Sequence, residues 1–435
     1  MNKQHSIIIF LSFILLGFSI KLIGQNDYYE ENFLRYDDFE YSANIKSVQL
    51  IKGDAFMLQP TILLNSNETL TLYFDDLNAG TGNYFYKLIL CNHDWTPSTL
   101  MPMEYIEGLQ EIMFNNVQLS YNTTKSYSHY RVSIPDKDMK ITRSGNYLLV
   151  VYPEGKPEKP ILTRRFYVYE ESVAINASVV VPRATQKKLN SHEIFLSIDK
   201  GEYYMPQIYN NLIVKIQQNN RKDNIQVLDK PKRINGNIIV YSDVNDLYFE
   251  AGNEFRKMDI RSFVIPAGST TKIEYDTNGY HISLETDIIR TTSNYINYQD
   301  INGRFKILNW DNTQRDENIE ADYAYVHVRL AQPKYQFEGS YYIVGDFSNW
   351  RLDKNFQLDF NSQKMVYEKS IFLKQAYYDY QYVYLPFNEK TATTLPVEGS
   401  FSETENDYSI FVYYRDPGEL NDKLIAYRTI NSRHE

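Results

Sequence analysis

From Ala376 to Leu385 the chain reads AYYDYQYVYL, with Tyr378, Tyr380, Tyr382 and Tyr384 at every second position and Asp379, Gln381 and Val383 between them. Side chains two apart share a face only in extended backbone; on a helix the same four rings would split between opposite sides. The stretch is therefore a strand, with its tyrosines on one face and the interleaved residues on the other.

Short runs of the same kind recur from the N-terminal side: Ile45–Ile51, Thr69–Asp75, Tyr84–Cys91, His129–Ile134, Gly145–Pro153 and Thr163–Tyr169. Aromatic and β-branched residues favour strands. Turn material such as Asn78-Ala79-Gly80-Thr81-Gly82-Asn83 and Arg143-Ser144-Gly145-Asn146 separates them. The spacing fits an antiparallel sandwich of about seven strands. Trp95–Val117 breaks the rhythm and reads as a long connection with one helical turn. The acidic, aromatic stretch Asn26–Tyr41 reads as an exposed leader that docks on a partner or on its own domain.

A linker, Glu170-Glu171-Ser172, precedes a second set: Val173–Val181, Glu193–Ile198, Leu212–Gln217, Asn237–Tyr241, Phe255–Phe263 and the hairpin Lys272–Tyr275/His281–Leu284. The hairpin turns at Asp276-Thr277-Asn278-Gly279, where Asn-Gly supplies the positive φ values of a tight turn. The polar stretch Asn294–Asp322 leads to a third set, with Tyr323–Leu330, the aromatic stretch Tyr341–Leu385, Ile410–Tyr414 and a short tail. The expected fold is all-β, with three tandem immunoglobulin-like β-sandwich domains at residues 25–170, 171–300 and 301–435.

Residues 1–24 read as a signal peptide: a start bearing Lys3, the apolar run Ser6–Ile20, and cleavage after Gly24. The run is shorter than the ~20 residues of a membrane-spanning helix. At 435 residues the chain is long enough for more than one core. Its formal charge of −10 becomes −12 without Lys3 and Lys21, which argues against nucleic-acid binding, since phosphate contacts need clustered Lys and Arg. A membrane β-barrel needs strands of about ten residues with an apolar outer face. Runs such as Phe255–Phe263 (FRKMDIRSF) carry charge on both faces instead.

No catalytic constellation emerges. Cys91, the only cysteine, excludes an intrachain disulfide and lies two residues from His93 at the end of an apolar strand. A cysteine nucleophile and its base usually come from different elements, so a buried strand cysteine is the better reading. The seven histidines show no paired spacing, Gly80-Thr81-Gly82 runs into a strand, and neither G-x-S-x-G nor H-E-x-x-H occurs. The chain reads as a non-enzyme, with no catalytic, cofactor-binding or metal-binding residues and no small-molecule substrate.

The stretch Tyr341–Leu385, with its Gly345-Asp346-Phe347-Ser348-Asn349-Trp350 turn and tyrosine-rich strand, resembles the small sandwich of glycogen-binding modules. In those modules the tryptophan after the turn can form part of a sugar platform, which makes Trp350 a candidate ligand contact. The second tryptophan usual in such modules is missing from Leu385–Thr394, and Trp95 and Trp310 lie outside the strands of this unit. The resemblance implies one alternative function, periplasmic carbohydrate (α-glucan) binding through the C-terminal domain.

A wider resemblance rests on Asn92-His93-Asp94-Trp95, on Tyr105-Ile106-Glu107-Gly108, and on Gly399–Tyr408 running into Phe411–Gly418. With the signal peptide and three β units, these stretches resemble the plug proteins of the Bacteroidetes type IX secretion system. That resemblance implies a non-enzymatic periplasmic protein on the inner side of the outer membrane. It would bind the giant translocon barrel and seal its periplasmic opening when no substrate is in transit. Exposed tyrosines would suit such an interface. The partner-binding candidates are Trp95, Trp350, Glu403, Glu405 and Tyr408, whose other reading is as turn formers or edge contacts.

Overall fold

The computed structural model describes residues 33–53, 55–182, 184–242, 247–311, 316–332 and 334–433; the expected signal peptide lies outside them. Strands make up three sandwiches. In the first, one sheet runs Phe39–Glu40, Leu162–Tyr169, Gly145–Pro153, Tyr84–Cys91 and Glu111–Met113, with Thr61–Leu63 added parallel to Leu162–Tyr169. The facing sheet runs Ile45–Lys52, Leu70–Asp76, Ser128–Ile134 and Asn116–Leu119. Leu72, Phe74, Tyr86, Leu88, Tyr130 and Tyr147 fill the space between them.

The strand Gly145–Pro153 shows no polar alternation because both its faces are covered. Tyr147, Leu149 and Val151 point into the first core, while Leu148, Val150 and Tyr152 pack against another sandwich. The connection after Trp95 holds a 3₁₀ turn, Pro102–Glu104, and three short strands, Ile106–Gly108, Glu111–Met113 and Asn116–Leu119. The leader docks on its own domain: Phe39 and Glu40 pair with Thr163 and Leu162, and Leu34 and Tyr36 pack beneath.

The second sandwich departs from the tandem order. One sheet runs Ala174–Val180, Ser191–Asp199, Ile238–Val240 and Arg233–Asn235, with Tyr248–Glu250 also on Ser191–Asp199. The facing sheet is Gln226–Leu228, Leu212–Gln218, Asp407–Tyr414 and Lys423–Asn431. The last two strands of the chain thus complete the middle core, where Tyr408, Ile410, Val412 and Ile425 meet Ile194, Leu196, Val214 and Ile216. The stretch read as a short tail is a nine-residue strand.

The third sandwich is inserted between Glu250 and Asp407. Arg256–Asp259, Ala376–Pro386, Phe305–Ile307 and Gly339–Val344 form one sheet; Thr270–Asp276, Gly279–Asp287, Tyr323–Ala331, Val366–Lys374 and Asp359–Asn361 form the other. The run around Phe255–Phe263 and the 270–287 hairpin, expected at 171–300, belong here, and Asp407–Tyr414, expected at 301–435, does not. The physical reason is pairing: Met258 lies opposite Tyr378, and Ile282 opposite Val326, so the apolar faces of these strands close one core.

Candidate functional site

The residues marked out in the sequence gather where the three sandwiches meet. At the junction of the first and middle sandwiches, Cys91, Trp95, Leu148, Val150 and Tyr167 pack against Phe411, Tyr413 and Leu424. The turn Asn92–Thr96 places Trp95 at φ +69°, with the Thr96 carbonyl accepting the Asn92 amide at 2.8 Å. A non-glycine residue in the left-handed region carries strain, which surrounding contacts must hold. Here the Trp95 indole, 8% exposed, meets the Tyr167 ring edge-on at 5.5 Å and the Arg165 guanidinium at 4.4 Å.

The neighbours of Trp95 tie the same junction with polar bonds. The His93 amide donates to Asp422 Oδ2 at 2.9 Å, and His93 Nδ1 lies 2.7 Å from the same oxygen. Arg415 bonds both Asp422 and Asn92, and the Tyr413 hydroxyl donates to Asn146 at 2.8 Å. His93 is therefore engaged with Asp422. Burial pushes the Cys91 thiol up to about 12, which leaves no thiolate at neutral pH.

The first and inserted sandwiches meet through two cross-strand pairs. Asp75 lies opposite His129 in one sheet, and Tyr323 lies opposite Lys374 in the other. Lys374 Nζ donates to Asp75 Oδ2 at 2.5 Å, the Tyr323 hydroxyl donates to the same oxygen at 2.6 Å, and His129 Nδ1 is 2.7 Å from Oδ1. Burial works to raise the Asp75 carboxyl, but Lys374 and His129 overcome it and hold it below the usual range. Nearby, Asp322 accepts the amides of Thr124 and Lys125, and Tyr127 donates to the Ala321 carbonyl.

Trp350 and its turn form the third bracket. Asn349 and Trp350 both have positive φ, +51° and +60°. The Asn349 amide reaches Glu40 of the leader at 3.0 Å, and Glu40 also pairs with Arg164 and Arg351. The indole is 6% exposed and packs with Phe255, Tyr342, Val344 and Val383. Arg221 of the middle sandwich approaches its ring at 5.7 Å. Gly303 has to be glycine, because a Cβ there would come within 2.7 Å of the indole. An indole enclosed in this way offers no flat face to a sugar, which corrects the platform expectation.

The segment Glu403–Tyr408 carries the chain from the inserted sandwich back to the middle one. Tyr408 is fully buried in the middle core, 2.8 Å from His192 Nδ1 through its hydroxyl. The Glu405 side chain accepts from Asn431 at 2.8 Å, and its amide lies 3.3 Å from Glu254 Oε1. Only the Glu403 side chain is exposed, and its carbonyl accepts from Arg433 and Tyr295.

This crossing adjoins two carboxyl groups of unusual acidity. Burial, with the charges of Glu254 and Glu405, pushes Asp300 up to about 7, against hydrogen bonds from the Asn302 and Phe255 amides. Burial and the charge of Asp300 push Asp379 up to about 8. Asp379 is on the face opposite the tyrosines of its strand, and that face is covered too, as Gln381 and Val383 are also buried.

Trp95, Trp350 and Tyr408 are thus enclosed, the first at a junction between sandwiches and the last in the middle core. The tyrosines are likewise core residues in the main: Tyr86, Tyr130, Tyr147, Tyr378, Tyr380, Tyr382 and Tyr413 are all fully buried. Sequence reading passed over Trp310, which is 55% exposed and stacked on Arg261 at 3.5 Å. It also passed over Asp75 and Lys374, each an ordinary charged residue at a strand end with no local signal.

Residues 45–170 match the family described as "Type 9 secretion system plug protein 1st domain". The crystal structure of a hypothetical protein from Parabacteroides merdae ATCC 43184 is similar at TM-score 0.87 and 34% identity, over 92% of this chain and 100% of that one. A Pseudomonas fluorescens alkylpurine DNA glycosylase, AlkC, bound to DNA with an abasic site analogue, aligns at TM-score 0.17 and 11% identity over 29% of this chain and 31% of that one, and carries no argument. A comparison with curated proteins gave no match.

Proposed function

The chain belongs to the family of the Parabacteroides merdae protein and matches a type 9 secretion system plug domain over residues 45–170, and from this we propose that it is a plug of that system. In this reading it is a non-enzymatic periplasmic protein that binds the giant outer-membrane translocon barrel. It seals the barrel's periplasmic opening while no substrate is in transit.

The observation that carries the reading is the plug-domain match, because the matched residues supply one side of both inter-sandwich junctions described above. A seal over a wide pore has to resist deformation. Paired sheet faces, buried ion pairs and an inserted domain with two chain crossings favour a single stiff body over three beads on linkers. Burial of Trp350 disfavours the α-glucan alternative.

The test is affinity purification of the tagged mature chain from detergent-solubilised envelopes, with partners identified by mass spectrometry. The proposal expects one very large outer-membrane barrel protein in stoichiometric yield. Recovery of the chain without any such barrel contradicts it.

A further inference from the structure

A buried hydrogen-bonding group left without a partner costs about 1–3 kcal/mol, so each one in a folded chain calls for a reason. Two such groups border one cavity of about 340 Å³ where the middle and inserted sandwiches meet. Gln381, 4% exposed, lies on the face of its strand opposite the tyrosines, and its Nε2 finds no partner among the described residues. Asn224 Oδ1 is likewise unpartnered among them. A chain of bonds fixes its orientation. Gln218 Nε2 donates to the Glu250 carbonyl at 3.0 Å, so Gln218 Oε1 accepts from Asn224 Nδ2 at 2.7 Å, and Asn224 Oδ1 is left over.

Most of the cavity wall comes from the middle sandwich, within residues 218–226 and 248–253, and the inserted sandwich closes it with Phe255, Gln381 and residues 391–394. Amide and threonine side chains make up most of the lining. Its charges are the exposed Glu250 and Arg221, which Asp223 already holds at 2.6 and 3.1 Å. Other amides are spent within the protein: Asn219 donates to Asn406 Oδ1 at 2.6 Å, and Asn406 to the Ala251 carbonyl at 2.9 Å. Phe249 and Phe255 add apolar surface, and a Cβ at Gly252 would meet nothing within 4 Å. Small-molecule sites share this build: a concavity of about 300–1,000 Å³ at a domain junction, with a few placed polar groups.

We propose that this cavity binds a neutral, polyhydroxylated small molecule the size of one sugar ring, whose hydroxyls accept from Gln381 Nε2 and donate to Asn224 Oδ1. A hydroxyl both donates and accepts, so one kind of ligand group serves both side chains. An anion would meet the Asn224 acceptor and a guanidinium already paired, and a cation would meet the Gln381 donor. The site is distinct from the tryptophan platform considered above, since Trp350 is enclosed and most of this wall belongs to the middle sandwich. A bound ligand touches both sandwiches and so stabilises the fold by linkage. The inference does not depend on the plug reading.

The test is titration calorimetry and thermal unfolding of the purified chain with glucose, galactose, mannose, N-acetylglucosamine and glycerol, with glucuronate as the charged control. A neutral compound of this set is expected to bind and to raise the unfolding midpoint, and glucuronate is not. Gln381→Met removes a donor that the free protein leaves unpaired. It is therefore expected to keep the wild-type midpoint without ligand and to bind about tenfold more weakly, the loss of one hydrogen bond. No binding by any neutral compound, which leaves a cavity that holds water only, overturns the inference. Glucuronate binding as tightly as the sugars, or undiminished binding by Gln381→Met, overturns it too. If Gln381→Met does not fold, Thr391→Trp, at an exposed position of the lining, is expected to block entry, and unchanged binding to that variant overturns the inference. The plug reading stands in every case.

Discussion

Asp75 of the first sandwich and Lys374 of the inserted one form an ion pair at 2.5 Å, 299 positions apart in the chain and with side-chain exposures of 0% and 1%. Taking two charges out of water is costly, and their attraction offsets that cost only with good geometry and further hydrogen bonds. The further hydrogen bonds are present: Tyr323 and His129 on Asp75, and the Asn318 carbonyl accepting from Lys374 at 2.6 Å. The pair therefore holds two domains in one arrangement.

Lys374→Met leaves the Asp75 carboxylate buried without its lysine partner. The expected loss is about 3–5 kcal/mol, the range for breaking one side of a buried pair. Chemical denaturation measures it. Asp75→Leu combined with Lys374→Met is expected to recover most of the loss, whereas a double variant as unstable as the single one shows that the charges do more than balance each other.

Trp350→Ala empties the centre of the cluster formed by Phe255, Tyr342, Val344 and Val383. A cost of about 3–5 kcal/mol is expected for removing a buried tryptophan. Affinity electrophoresis in α-glucan gels is expected to show the same mobility for wild type and variant. Retardation of the wild type alone would restore the sugar-platform reading.

The Asp300 and Asp379 carboxyls make stability depend on pH. In the unfolded chain both ionise near pH 4, while the fold raises them to about 7 and about 8. Between those limits the folded protein holds protons that the unfolded chain has released. Their contribution is thus complete below about pH 4, falls as pH rises, and is gone above about pH 8. Asp379→Asn keeps an acceptor for the Ile301 amide and removes the titration. Thermal melts should show its stability relative to wild type rising steadily from about pH 4 to about pH 8; a difference that stays the same across that window contradicts this.

A chain ending at Thr404 lacks Asp407–Tyr414 and Lys423–Asn431, and so half of one middle sheet. Limited proteolysis should cut such a chain rapidly between residues 174 and 250 and slowly between 256 and 397. Equal resistance in both regions would mean that the middle sandwich closes without its C-terminal strands.

Much of the local structure was legible from apolar runs bounded by turn residues. Tyr84–Cys91 and Gly145–Pro153 have the bounds expected from their apolar runs and flanking turns. The insertion was not legible, since the contact of Gln218 with Tyr408 spans 190 positions and leaves no local mark. Lys423–Asn431 was hidden by its charges and its closeness to the chain end. For the candidate site, distinctive turns stood out in the sequence. Their role did not, because Trp95 and Trp350 are exposed or buried according to whether a second sandwich covers them, and that depends on domain packing.

Permeability of the outer membrane in a strain lacking this chain tests the central claim most directly. The account predicts that large hydrophilic probes enter the deletion strain, and that the wild-type chain restores the barrier. A deletion strain that excludes those probes as well as its parent, with the translocon barrel still present at normal levels, contradicts the plug.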